Sequence, residues 1–158
     1  MLRRITVRVY GILVNDREEV LLSDEIIRGN RITKFPGGGL KLGEGPVECL
    51  TREFMEECKK EIIVTDHFYT TDFFQSSYFD DETQVISIYY RVECPEWQTI
   101  DTILKPFDFP HLLTVDTEKM RWSAIDYLQQ ESFLTLPIDR KVADLVMLKA
   151  NPIGFRKR

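Results

Sequence analysis

The sequence predicts a single α/β domain over residues 1–158, and three observations point there. Short runs rich in β-branched and aromatic residues recur along the chain and read as strands. Two segments carry apolar residues at the spacing of an amphipathic helix. A glycine-rich turn joins one of the strands to the first of those helices. The length suits one domain with a core of its own.

Residues 3–14 alternate and then run apolar through Ile5, Val7, Val9, Ile12, Leu13 and Val14, the pattern of a strand. Asn15-Asp16 is a turn signal, and Val20-Leu21-Leu22 continues as a second strand. Residues 24–31 are polar and read as loop. A short strand ends at Phe35 and runs into Pro36-Gly37-Gly38-Gly39, a loop that exposes backbone. Gly45 is the N-cap of the helix that follows, Pro46 its first residue, and Glu48 lies in its first turn. Val47, Leu50, Thr51, Phe54 and Cys58 share one side of that helix, and Glu53, Glu56 and Glu57 the other. Segments 62–64, 69–74, 85–92 and 120–125 read as further strands, 127–133 as a short helix, and Pro137–Ala150 as an amphipathic helix bearing Ile138, Val142, Leu145, Val146 and Leu148. Residues 95–119, with Pro95, Pro106 and Pro110, form a long loop of the length that often carries function. The tail 155–158 is expected to fray.

Composition narrows the function. The chain is 43% hydrophobic and 30% charged, with a formal net charge of −5, which argues against broad binding of nucleic-acid polymers. A small anionic substrate remains compatible, because a bound cation inverts local charge. Arg3, Arg4 and Arg8 break up the apolar start, so no signal peptide is expected. No run of about 18 apolar residues exists to span a membrane. Cys49, Cys58 and Cys94 show no CxxC spacing and read as buried free thiols of a cytoplasmic protein.

Glu53, Glu56 and Glu57 stand at helical positions 0, 3 and 4. Three carboxylates on one face repel each other by roughly 0.2–0.5 kcal/mol per pair. A cation is therefore expected over them, and an oxygen-seeking divalent ion such as Mg²⁺ is the simplest candidate.

These residues resemble the Nudix (MutT-like) hydrolase box: Gly, five residues, Glu, seven residues, then Arg-Glu-hydrophobic-any-Glu-Glu-any-Gly-hydrophobic. Gly38, Glu44, Arg52, Glu53, Phe54, Glu56 and Glu57 all fall on it, and Pro36-Gly37 resembles its usual entry. Arg121-Trp122 with Asp126-Tyr127-Leu128 is similar to the strand-then-helix ending common in the family. The pattern departs at Lys59 and Lys60, where the family has glycine and an aliphatic residue. Either a lysine takes the left-handed conformation, at roughly 1–2 kcal/mol, or the helix runs on and Ile62 replaces the missing contact.

The resemblance implies an α/β/α sandwich with a mixed sheet. It implies hydrolysis of a diphosphate bond in a nucleoside diphosphate linked to another moiety, with Mg²⁺ as cofactor and Mn²⁺ as a substitute. Glu53, Glu56 and Glu57 are the implied metal ligands, with the Gly38 carbonyl in addition, and one of these glutamates also serves as general base. Arg52 and Glu44 support the site, and Gly37, Gly38 and Gly39 meet the substrate. In many relatives a further acid from the long loop joins in. Asp101, Asp108, Asp116 and Glu118 are available, and Glu118 and Asp116 lie nearest the next strand.

His67 and His111 are isolated and read as ordinary hydrogen-bonded histidines. Phe73, Phe74, Tyr78, Phe79, Phe107 and Phe109 offer faces that could stack on a base, or core packing. Arg31, Lys34 and Lys41 flank the glycine turn, as phosphate contacts or as solvated surface. Gln75 and Ser76 stand where ADP-ribose hydrolases often carry proline. Tyr78 matches a tyrosine of diadenosine polyphosphate hydrolases. Leu21-Leu22-Ser23 and Phe35-Pro36-Gly37-Gly38 are faintly similar to coenzyme A hydrolases. Nucleoside triphosphates remain the broad expectation, with homodimerisation compatible. The rival reading is a Nudix-fold module that binds or senses a nucleotide without turning it over.

Overall fold

The computed structural model describes residues 1–110 and 116–150; His111 and the tail 155–158 lie outside them. The strands are β1 (Arg4–Leu13), β2 (Glu19–Ile27), β3 (Asn30–Lys34), β4 (Gly37–Gly39), β5 (Ile63–Thr70), β6 (Thr83–Glu93), β7 (Thr102–Ile103) and β8 (Thr117–Ala124). The helices are α1 (Pro46–Cys58) and α2 (Pro137–Ala150), with single 3₁₀ segments at Trp97–Thr99 and Ile125–Gln130. The fold is α/β, and its strands form two mixed four-stranded sheets. Contacts divide the chain into two compact units that interleave in sequence, one from Met1–Val14 with Phe35–Asp101, the other from Asn15–Lys34 with Thr102 onward.

The first unit holds the sheet β4-β1-β6-β5. β1 pairs parallel with β6, from Arg4 opposite Thr83 to Leu13 opposite Val92, and antiparallel with β4. Flanked on both sides, β1 buries Val9, Tyr10, Ile12 and Leu13. Residues 37–39, expected as loop, are thus an edge strand. Gly37 makes this pairing possible: at φ +148°, a Cβ there would strike the Val9 carbonyl and Tyr10 Cα. β5 ends at Thr70, so the strand expected over 69–74 does not form as such, and two bulges interrupt its pairing with β6. α1 buries Cys49, Leu50, Phe54 and Cys58. Val47 and Thr51, expected on that buried side, are exposed, whereas Cys49, on another side of the helix, is buried.

The second unit holds the sheet β3-β2-β8-β7. Residues 24–31, expected as loop, instead complete β2, turn at Arg28-Gly29 and enter β3. Both turn residues have positive φ, 50° and 79°, which matches the twist of a tight hairpin. The polar residues that suggested a loop are buried in pairs. Arg121 Nε and Nη2 reach Asp24 at 2.8 and 3.0 Å, and Nη1 and Nη2 reach Glu131 at 2.9 and 3.0 Å. Asp24 also accepts from Thr33 Oγ1 at 2.8 Å and from the Phe107 amide at 3.2 Å. α2 spans the residues the periodicity marks and packs on the 3₁₀ segment Ile125–Gln130, which replaces the short helix expected at 127–133. Leu148, assigned to its apolar stripe, is exposed. The long loop contains the Trp97–Thr99 turn and β7. No helix among the described residues is long and apolar enough to cross a membrane.

Candidate active site

α1 starts where its sequence dictates. Gly45 is extended at φ −82° and ψ 168°, Pro46 opens the first turn, and the Glu48 carboxylate accepts from the Gly45 amide at 2.9 Å. Its end resolves the departure at Lys59. That residue caps the helix in the left-handed conformation, φ 56° and ψ 35°, and its Nζ donates to the Glu56 carbonyl at 2.7 Å. The helix does not run on towards Ile62.

Arg52 gathers most of the predicted residues. Its Nε and Nη2 fork onto Glu44 at 3.0 and 2.6 Å, and its Nη1 meets Glu53 at 2.9 Å and Glu56 at 3.3 Å. Nη2 also donates to the Gly39 carbonyl at 3.0 Å. One guanidinium therefore ties the helix to the glycine strand and to the turn between them. Glu44 in turn accepts from the Lys41 amide at 2.8 Å. Gly38 is a cradle: a Cβ there would run into the Glu53 carboxylate. Cys49 is buried beneath the turn, with Sγ 3.5 Å from the Gly39 carbonyl and 3.9 Å from that of Gly38.

Charge follows this geometry. Hydrogen bonding from Arg52 holds the Glu44 carboxyl down at about 2 against the opposing effect of burial. Glu44 in turn raises Arg52 above its usual range. Burial pushes the Cys49 thiol up to about 11, with Glu44 adding to it, so the thiol stays protonated. The Glu53 side chain is 13% exposed and that of Glu56 53% exposed, so the acidic face opens from helix interior to solvent. Glu57, four residues beyond Glu53 on that face, is half-buried.

The donor set suits a hard divalent cation. Carboxylate oxygens beside a backbone carbonyl are the ligands such ions take, and the open side of Gly38 brings the Glu53 carboxylate against the strand that carries that carbonyl. One guanidinium shared by Glu44, Glu53 and Glu56 leaves an excess of negative charge. Among the described residues, no group of three or more His, Cys, Asp or Glu side chains is placed so that it could hold a metal ion by itself.

The other predicted residues lie elsewhere. In the second unit Lys34, expected as a phosphate contact or as solvated surface, is buried against Glu25 at 2.9 Å. Arg31 lies over the Phe107 ring at 5.5 Å. Glu118 is on β8 directly opposite Glu25, and Asp116 accepts from the Arg28 amide at 3.1 Å. Burial pushes the Glu118 carboxyl up to about 8, with Glu25 beside it adding to the rise. Burial works against ionised Glu25 too, but Lys34 beside it, with hydrogen bonds from Glu118, Lys34 and Ser23, keeps it below the usual range. Phe107 is buried, whereas Phe73, Phe74, Tyr78 and Phe79 are exposed on the segment between β5 and β6. His67 Nε2 bonds Thr70 Oγ1 at 2.7 Å. All three cysteines are free and buried. Sequence reasoning passed over the Glu25–Lys34 pair, because a lysine and a glutamate nine residues apart carry no local sign that a hairpin joins them.

The model of the NUDIX domain matches residues 3–137. No curated protein matches the chain in sequence. Among solved structures, a NUDIX hydrolase from Nitrosomonas europaea is 18% identical, with a TM-score of 0.65 over 89% of this chain and 86% of that one. A MutT protein from Methanosarcina mazei is 15% identical, with a TM-score of 0.64 over 96% of this chain and 99% of that one. A structure from a study of MutT of Aliivibrio salmonicida and Vibrio cholerae is 21% identical, with a TM-score of 0.58 over 93% and 99%. At these identities the likeness is one of fold.

Proposed function

The chain belongs to the Nudix hydrolase family, and from that premise we propose that it hydrolyses a diphosphate bond in a small nucleotide, with nucleoside triphosphate-like substrates favoured. The family is typically dependent on divalent metal, and Mg²⁺ is the proposed cofactor, with Mn²⁺ as a substitute. We also read residues 1–158 as one domain, which the family match supports because it spans segments of both units. The observation that carries the proposal is the Arg52 fork, which holds Glu44, Glu53 and Glu56 against the Gly38–Gly39 backbone.

Glu53, Glu56 and Glu57, with the Gly38 carbonyl, would hold the cation. When bound, it neutralises diphosphate charge and lowers the barrier to attack by water. Arg52 and Glu44 fix where the carboxylates point. One of Glu53, Glu56 or Glu57 takes the proton from the attacking water as its oxygen bonds to phosphorus and the far phosphate departs. Gly37, Gly38 and Gly39 are the proposed backbone contacts of the substrate, and of the three only Gly39 has its open side free of Val9, Tyr10 and Glu53.

The test is product release from deoxynucleoside triphosphates, ADP-ribose, diadenosine tetraphosphate, coenzyme A and nucleotide sugars, each with Mg²⁺ or Mn²⁺. Turnover of at least one is expected. Glu53→Gln and Glu56→Gln should each lower it by at least ~10²-fold, or about 2.7 kcal/mol of barrier. Near-wild-type rates in both variants would refute the assignment. Tight nucleotide binding without turnover of any substrate would favour the sensing module instead.

A further inference from the structure

Arg8 sits on β1 directly opposite Gly39 of β4 and Ser87 of β6. Successive side chains of a strand leave on opposite faces, and the glycine strand follows that rule. The open side of Gly38 faces Glu53 of α1, whereas the open side of Gly39 faces Arg8, with Nη1 3.9 Å from where a Cβ would stand. The three-residue edge strand β4 thus has an acidic helix on one face and a guanidinium on the other. Without side chains, Gly38 admits the Glu53 carboxylate on one face and Gly39 leaves the other face open beside Arg8.

The guanidinium is held in place. Arg8 Nε donates to the Tyr10 hydroxyl at 2.6 Å, and its central carbon lies 5.7 Å from the Tyr10 ring centre. Tyr10 packs on Tyr89 at 5.1 Å, and Tyr89 meets Phe35 edge-on at 5.8 Å. Those three rings are buried, so the cation stands on a rigid wall. A planar guanidinium fixed in this way matches two oxygens of a phosphate. On the same strand the Gly39 carbonyl, which would repel an anion, is already engaged by Arg52 at 3.0 Å.

We propose that Arg8 is a substrate-binding residue that takes a phosphate oxygen of a nucleoside di- or triphosphate beside Gly39. The assignment rests on the reading of this unit as a diphosphate hydrolase. It divides the work across the edge strand: the glutamates of α1 serve the bond that breaks, and Arg8 grips a phosphate from the other face.

Calorimetric titration with inorganic pyrophosphate and with a methylene-bridged nucleoside triphosphate, both with Mg²⁺, tests it without requiring turnover. Arg8→Ala should weaken both ligands roughly ten- to hundredfold, and Arg8→Lys should recover part of the loss. On a turned-over substrate the defect should appear in KM rather than kcat. Should Arg8→Ala fail to fold, Tyr10→Phe, which keeps the charge but removes the hydroxyl that fixes it, should weaken the same ligands by a smaller factor. Unchanged pyrophosphate affinity in these variants would overturn the proposal, as would a wild-type protein that binds neither ligand. So would a loss confined to the nucleotide, which would mark a base contact. Binding that depends on Arg8 in a protein without turnover would leave Arg8 assigned and sink the hydrolase reading. Turnover indifferent to Arg8 would do the reverse.

Discussion

Lys59 carries a left-handed backbone, φ 56° and ψ 35°, at the position where the family has glycine. A side chain there costs roughly 1–2 kcal/mol, and the Lys59 Nζ bond to the Glu56 carbonyl at 2.7 Å offsets part of it. Lys59→Gly should therefore raise stability by about 0.5–1 kcal/mol, whereas Lys59→Ala, which keeps the strain and loses the bond, should lower it; urea denaturation of the three proteins checks the order. The residues around Arg52 were legible in the sequence because they lie within 20 positions, from Gly38 to Glu57: helical spacing groups Glu53, Glu56 and Glu57, and the resemblance to the Nudix box adds Gly38, Glu44 and Arg52. Arg8 was not. It reads as one of three arginines that break an apolar run, and only the pairing of β1 with β4 brings it to Gly39.

Strands β2, β3 and β8 meet in a set of charges that the composition of 24–31 disguised as loop. Buried ionic pairs have the hydropathy of solvated ones, so a one-dimensional reading counts Asp24, Glu25 and Lys34 as polar whatever side they face. Their burial has a consequence for pH. Glu118 titrates near 8 in the folded protein, against about 4.3 for an unperturbed glutamate. Between those values the folded state holds a proton that the unfolded chain has released, so stability should fall as pH rises from about 5 to 8, by at most about 1.4 kcal/mol per pH unit. Glu25 shifts the other way, and its contribution is lost only as pH falls below the usual carboxylate range. Glu118→Gln keeps a donor towards Glu25 and removes the titration. Urea unfolding at pH 5.5, 6.5 and 8 should show a flatter profile for the variant; equal slopes would contradict the raised Glu118.

Across the whole chain, fold class was legible and strand partners were not. Alternation says that a segment is a strand, but not which other segment lies beside it. Here the choices are distant: β1 takes β6, and β2 takes β8. Arg121 joins such distant pieces, reaching Asp24 97 positions away and Glu131 ten away. Arg121→Met would leave two buried carboxylates facing an apolar side chain, at a cost of about 3–5 kcal/mol; a loss of unfolding free energy of that size in urea titration, read as a lower midpoint at unchanged m-value, is the expected result. The same long-range order governs synthesis. β6 is the last strand of its sheet to be translated, yet it flanks β1, the first. Until residue 93 has cleared the ribosome, β1 presents an unfilled row of amides and carbonyls on the side β6 will cover. During that interval a chaperone, or the same strand of a neighbouring nascent chain, competes for the place.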